Sequence, residues 1–202
     1  MRGELGPGLR QWAGGLVGLW EMQRIYPCEL TVAQYIASEA HRQVVAESVC
    51  PQCGLGHGLG GHGSYGRWGT SEIGAAVWIL IARFLCAGCG RTVSYLPSFL
   101  LSYRLVRAAT FEAFLEGDLR QKDVQKWEGL LRGYERRMHV FHPELLRVVG
   151  RGFGRAPPVG KAFWPWLKEA CGSIAAATRR LVEHFKITVF RSYQCHQPSG
   201  AL

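Results

Sequence analysis

Cys50-Pro51-Gln52-Cys53-Gly54 and Cys86-Ala87-Gly88-Cys89-Gly90-Arg91 are the stretches that decide how this chain folds, with thirty-two residues between Cys53 and Cys86. Two thiolates separated by two residues can bite one tetrahedral ion from a tight turn, and a following glycine lets backbone amides swing toward the sulfurs. A pair of such knuckles supplies four ligands. The spacing therefore predicts a zinc ribbon, with one structural Zn2+ held by Cys50, Cys53, Cys86 and Cys89. A redox dithiol is the competing reading of a single CxxC; two of them, each with Gly next, favour the metal.

Working outward from the knuckles, the run Ala76 to Cys86, AVWILIARFLC, reads as the strand that delivers the second knuckle. Val77, Ile79 and Ile81 share one side, and the apolar Trp78 and Leu80 on the other predict that both faces are covered. Residues 54–69 are rich in glycine and read as a loop carrying His57 and His62, either of which could replace a thiolate ligand. Upstream, β-branched residues predict strands at Ile25–Cys28 and Gln43–Val49, with a short helix from Thr31 to His41 capped by Thr31. Residues 1–24 read as a glycine-rich leader. Gly14, Gly15 and Gly18 weaken any helix between Leu9 and Met22, and Met22 is an equally good start.

After Pro97 the pattern turns helical. A first helix is expected from Phe99 to Glu116, stopped by Gly117, and a second from Asp118, with Asp118 as N-cap and Gln121 as its capping-box partner. Val124, Trp127, Leu131, Tyr134, Met138 and Phe141 follow at alternating steps of three and four, a heptad seam. Arg120, Lys122, Lys126, Arg132, Arg136 and Arg137 lie on the opposite face. Two helices joined at Gly117 read either as a helix-turn-helix, whose second helix enters the major groove, or as a helical hairpin packed on its seam. Residues 151–158 form a basic linker with two prolines, and a last packing helix is expected from Pro165 to Lys186. Ile187 to Phe190 reads as a strand, and Cys195-His196 is too isolated for a second metal site. The fold class expected is α+β: a leader (1–24), a small β zinc ribbon (25–103), a helix-turn-helix-like or hairpin region (104–150), and a linker with a C-terminal helix (151–202).

The net charge of +9 is unevenly placed, with seventeen basic against nine acidic residues after position 103. Most of the basic residues are Arg, whose planar fork suits phosphate and base edges, so nucleic acid is the expected partner. No apolar run is long enough to cross a bilayer; Ile73 to Leu85 is too short and is interrupted by Arg83. Seven cysteines, four of them in metal spacing, fit a reducing compartment, and the chain is expected in the cytoplasm with no membrane partner. Cys28, Cys171 and Cys195 have no role legible in the sequence.

The pattern CPxCG, then HGSYxR, then a strand ending RxxCxxCGRTxSxLPxFLLxY resembles the zinc-ribbon heads of bacterial insertion-sequence transposases. It looks most like a group of small uncharacterised bacterial proteins with the same head and a helical remainder. The matching residues are Cys50, Cys53, His62, Gly63, Tyr65, Arg67, Arg83, Cys86, Cys89, Gly90, Arg91, Leu96, Pro97 and Tyr103. The resemblance implies binding to double-stranded DNA by a transposase-related or transposon-derived protein that works beside a transposase or recombinase. Candidate DNA contacts are Arg67 and Arg91 in the ribbon and Arg104, Arg107, Arg120, Lys122 and Lys126 after it.

A two-metal nuclease core needs several carboxylates on separate elements, and this chain has two Asp, Asp118 and Asp123, both expected at one helix start. No phosphate loop or Ser-His-Asp order accompanies them, so a binding protein without a catalytic centre is expected. A protein-interaction adaptor is the alternative. An enzyme with catalytic zinc would need an open ligand position and an acid or base such as Glu72 with His62, and four thiolates would close the site.

Overall fold

The structure is a computed structural model that describes residues 22–152, 158 and 160–190. Residues 1–21 of the expected leader, most of the linker after Gly152 and Cys195-His196 lie outside the described residues, whereas Met22 to Arg24, counted with the leader, belong to the first strand. In order come β1 (Met22–Tyr26), α1 (Val32–Ala37), a 3-10 turn (Ala40–Gln43), β2 (Leu59–Thr70), β3 (Ala76–Cys86) and β4 (Thr92–Pro97). There follow α2 (Ala108–Leu115), α3 (Lys122–Gly152), a second 3-10 turn (Gly160–Ala162), α4 (Phe163–Cys171), α5 (Ile174–Arg180) and a π turn (Leu181–Phe185). The fold is α+β. One four-stranded sheet has the order β1-β4-β3-β2, with β2, β3 and β4 antiparallel and β1 parallel to β4.

The glycine-rich segment expected as a loop is largely β2, a twelve-residue strand paired along β3. Its glycines make room for the partner strand. A Cβ at Gly66 would sit 2.2 Å from the Trp78 ring, and one at Gly69 would sit 2.6 Å from Ile79 Cδ1. Strand β3 forms where expected, with Ile79 and Ile81 fully buried. The expectation that its other face is also covered fails at Trp78 and Leu80, which are 51% and 36% exposed. Thr31 caps α1 in a reciprocal box with Gln34, although the helix ends at Ala37. The strand expected over Gln43–Val49 does not form: Gln43 ends the 3-10 turn and the chain after it is irregular, with a single bridge from Val49 to Gly56.

The helical region corrects several boundaries. The segment before Ala108 is a turn closed by a Leu100–Arg107 bridge, so α2 is only eight residues long. Asp118 does not cap α3; it sits in the intervening turn and accepts from Gln121 Nε2 at 2.7 Å, and α3 begins at Lys122. Helix α3 is thirty-one residues long and runs through Pro143. An interior proline costs about 3 kcal/mol, which is offset beyond it by full burial of Leu145 and Val149, about 1.5–3 kcal/mol each. The heptad seam is packing within the chain: Val124, Leu131, Tyr134 and Met138 are buried in one core with Phe111 of α2 and Leu167 of α4. A helix-turn-helix is not what this pairing shows. The expected last helix breaks at Gly172 (φ 87), and Ser173 caps α5 by accepting from the Ala176 N–H. Ile187–Phe190 forms no strand beyond a single bridge at Ile187, and Ile187, Val189 and Phe190 pack into the same core.

A second core joins the two halves of the chain. Ile25, Val32, Tyr35, Ile79, Ile81, Leu96 and Leu100 surround Val182 from the π turn. The β2–β3 turn clamps the sheet to the helices. Glu72 accepts from the Val32 N–H at 2.7 Å, while the Gly74 carbonyl accepts from Trp127 Nε1 at 2.9 Å. Among the described residues, no helix is long and apolar enough to cross a membrane.

Candidate metal centre

The four cysteines expected as ligands converge. Their sulfurs all lie within 4.8 Å of one another, with Cys50–Cys89 at 4.0 Å and Cys53–Cys86 at 3.6 Å. Thiolates about 2.3 Å from a tetrahedral ion are about 3.8 Å apart, and these two edges bracket that value. A disulfide needs about 2.05 Å, so the group is an ion-sized cage and not a set of cross-links. The residues present fit one metal ion with four soft sulfur ligands.

The two knuckles are built alike, which explains the convergence. In each, the N–H of the glycine after the second cysteine donates to the first cysteine's carbonyl at 2.9 Å: Gly54 to Cys50, Gly90 to Cys86. Both glycines have positive φ, 77° and 65°, where a side chain is strained. In each, the first cysteine's N–H also donates five residues ahead at 2.9 Å, to Leu55 in one knuckle and Arg91 in the other. β3 and β4 flank the second knuckle, and the Ala87 N–H donates to the Gly58 carbonyl at 2.8 Å, tying it to the chain leaving the first. Lys186 Nζ donates to the Pro51 carbonyl at 2.7 Å, so the C-terminal helices also brace this end.

Backbone dipoles prepare one sulfur for metal. The Cys89 N–H aimed at Cys86 pulls that thiol down to about 6 against the opposing effect of burial. Burial pushes Cys89 up to about 12 and raises Cys50 as well. His57 and His62, the alternative ligands, are exposed and outside the cluster. Glu72 is at the far end of the β2–β3 hairpin, about 30 Å from Cys86 at roughly 3.3 Å per strand residue. It cannot act on an ion held by the knuckles.

The basic residues expected to contact DNA divide into two groups. Arg67 donates through Nη2 to the carbonyls of Leu101 and Arg104, holding the turn after β4. Arg104 lies over the rings of Tyr134 and Phe190, at 5.4 and 4.5 Å. Arg107 is paired with Asp123 at 3.5 Å and Glu72 at 3.9 Å. These three serve packing, and Arg91 is half-buried beside the second knuckle. Arg120, Lys122 and Lys126 are exposed at the start of α3, with the Lys126 ammonium 5.7 Å from the Trp127 ring. The structural work of Arg67 and Arg107 had no sequence signal, because their partners lie tens of residues away. Cys171 is half-buried with its thiol raised by burial, Cys28 is half-buried near Ser98, and neither joins the metal set.

Residues 50–132 match a family described as a domain of unknown function, DUF6431. The match begins at the first knuckle and ends within α3, so it takes in the whole cysteine cluster and the β2–β3 turn that clamps the sheet to the helices. No curated protein and no solved structure matches the chain.

Proposed function

We propose that the chain is a non-catalytic DNA-binding protein in which a zinc ion stiffens the ribbon and the basic start of α3 meets the phosphates of a duplex. Four thiolates at tetrahedral spacing suit zinc, which binds soft sulfur ligands in closed structural sites. The observation that carries DNA binding is the state of the charges on α3. Arg132 and Arg147 are neutralised by Glu128 and Glu144, whereas Lys122, Lys126 and the preceding Arg120 are exposed without an ion pair among the described residues. Cations left open in this way gain by displacing counterions from phosphate. The resemblance of the cysteine-knuckle pattern to the heads of insertion-sequence transposases supports an accessory or transposon-derived role beside a transposase or recombinase, in the reducing cytoplasm.

Binding without catalysis is supported by the two aspartates. Asp123 is buried and engaged by Thr110 and Arg107, Asp118 sits in an exposed turn outside the helix, and among the described residues neither belongs to a group of three or more side chains placed to hold a metal ion. Zinc-loaded protein is expected neither to nick nor to join plasmid DNA with Mg2+ or Mn2+, and nicking abolished by Asp118→Ala would overturn that. The test of binding is its salt dependence. Replacing Arg120, Lys122 and Lys126 together should flatten the slope of log affinity against log salt by about two to three units. An unchanged slope in the triple variant moves the DNA surface elsewhere. A salt-independent partner would favour the adaptor reading, which the exposed Leu130 and Val140 on α3 support.

A further inference from the structure

Two cavities of about 380 and 960 Å³ meet at Tyr103, Arg104 and Leu105, and together they run from the β2–β3 ribbon to the middle of α3. Their walls include Arg136 and Arg137 on α3, with Arg67 and Arg104, already engaged within the chain, near the junction, and among the described residues no carboxylate lines either one. Aromatic faces are interleaved with these cations. Trp68 lines the sheet end at 57% exposure, and Tyr103 stands at the junction at 39%. Tyr103 also has φ 59, a left-handed conformation that a bulky residue adopts only where the surroundings hold it there. On the helix side the floor is Gly129 and Gly133, and a Cβ at either would meet nothing within 4 Å. Packing inside the chain does not require those glycines, whereas a ligand backbone lying along α3 does benefit from the low floor.

We propose that this groove binds an unpaired nucleotide strand, its phosphates following the exposed Arg136 and Arg137 and its bases stacking on Trp68 and Tyr103. The proposal rests on the nucleic-acid reading above and assigns a second surface to it. Duplex bases hide their faces in the helical stack, so exposed aromatics add little to duplex binding, whereas every unpaired base offers a face that stacks whatever its sequence. A cationic channel with aromatic platforms and no opposing acid is the chemistry that single strands select.

The test uses the full, zinc-loaded chain and fluorescence anisotropy of labelled oligo(dT) and oligo(U), with a hairpin duplex measured in parallel. Trp68→Ala is expected to weaken oligonucleotide binding about tenfold while leaving duplex binding unchanged. Gly133→Glu, which favours the helix and puts a carboxylate in the groove, should weaken oligonucleotide binding at least as much. Preference for oligo(dT) or for oligo(U) tells whether the strand is DNA or RNA. If both variants bind oligonucleotide like the parent, or polyglutamate displaces the oligonucleotide completely, the groove is not a nucleotide site and duplex binding stands by itself. If neither the oligonucleotides nor the duplex bind the parent, both readings fall.

Discussion

Arg107→Ala and Asp123→Ala test whether this part of the helical region is machinery for holding the fold or for touching DNA. The Arg107–Asp123 pair is 3.5 Å apart, with side chains only 15% and 8% exposed. At that distance the gross attraction is about 5 kcal/mol for an effective dielectric near 20, most of it offset by desolvation of the two ions. Truncating one member leaves the other buried and under-compensated, which costs about 3–5 kcal/mol. Asp123 also accepts from the Thr110 hydroxyl at 2.5 Å and from the Val124 N–H at 3.0 Å, so Asp123→Ala strands a buried hydroxyl as well. Arg107 keeps Glu72 after that change, which places Asp123→Ala near the lower end, about 3 kcal/mol. The double variant should cost less than the sum of the singles by about 1–3 kcal/mol, because the contact they share is lost once. The assay is urea unfolding of the metal-loaded protein followed by circular dichroism, with the DNA salt slope measured on the same samples. A loss below about 1 kcal/mol for Asp123→Ala, or strictly additive variants, would refute the reasoning. So would an Arg107→Ala variant that is fully stable yet has a flatter salt slope, since that would return Arg107 to the DNA surface.

Three further outcomes are expected. Cys86→Ser should abolish stoichiometric metal and unfold the ribbon, and elemental analysis finding no zinc in parent protein prepared without chelator would end the zinc reading. Metal release should rise as pH falls, since each thiolate must take up a proton to let go, and a release flat with pH in a colorimetric chelator assay would refute ligation by these titratable side chains. Gly69→Ala places a Cβ 2.6 Å from Ile79 Cδ1 and 3.1 Å from Leu100 Cδ2, and should lower stability by about 1–3 kcal/mol in the same urea assay; a neutral result would show that β2 can move away from the core there.

The sequence by itself determined what depends on near neighbours. Each knuckle is a five-residue turn whose glycine and hydrogen bonds are local, so Cys50, Cys53, Cys86 and Cys89 could be named before any contact was known. The same holds for the Thr31–Gln34 box, for β3 and for the seam from Val124 to Phe141, where side-chain period and short-range bonds carry the information. Only the tertiary structure decided what depends on distant partners. Glycines that look like a loop become β2 because β3 supplies both the hydrogen bonds and the bulky side chains that fill the space above them. Helix α3 outlasts Pro143 because Leu145 and Val149 find a core beyond it. Arg67 and Arg107, indistinguishable in sequence from Arg120, are drawn inside by carbonyls and carboxylates 16 to 37 residues away. A charged side chain declares its type locally, but whether it faces phosphate or protein is set by whatever the fold packs beside it, and burial makes that difference worth several kcal/mol.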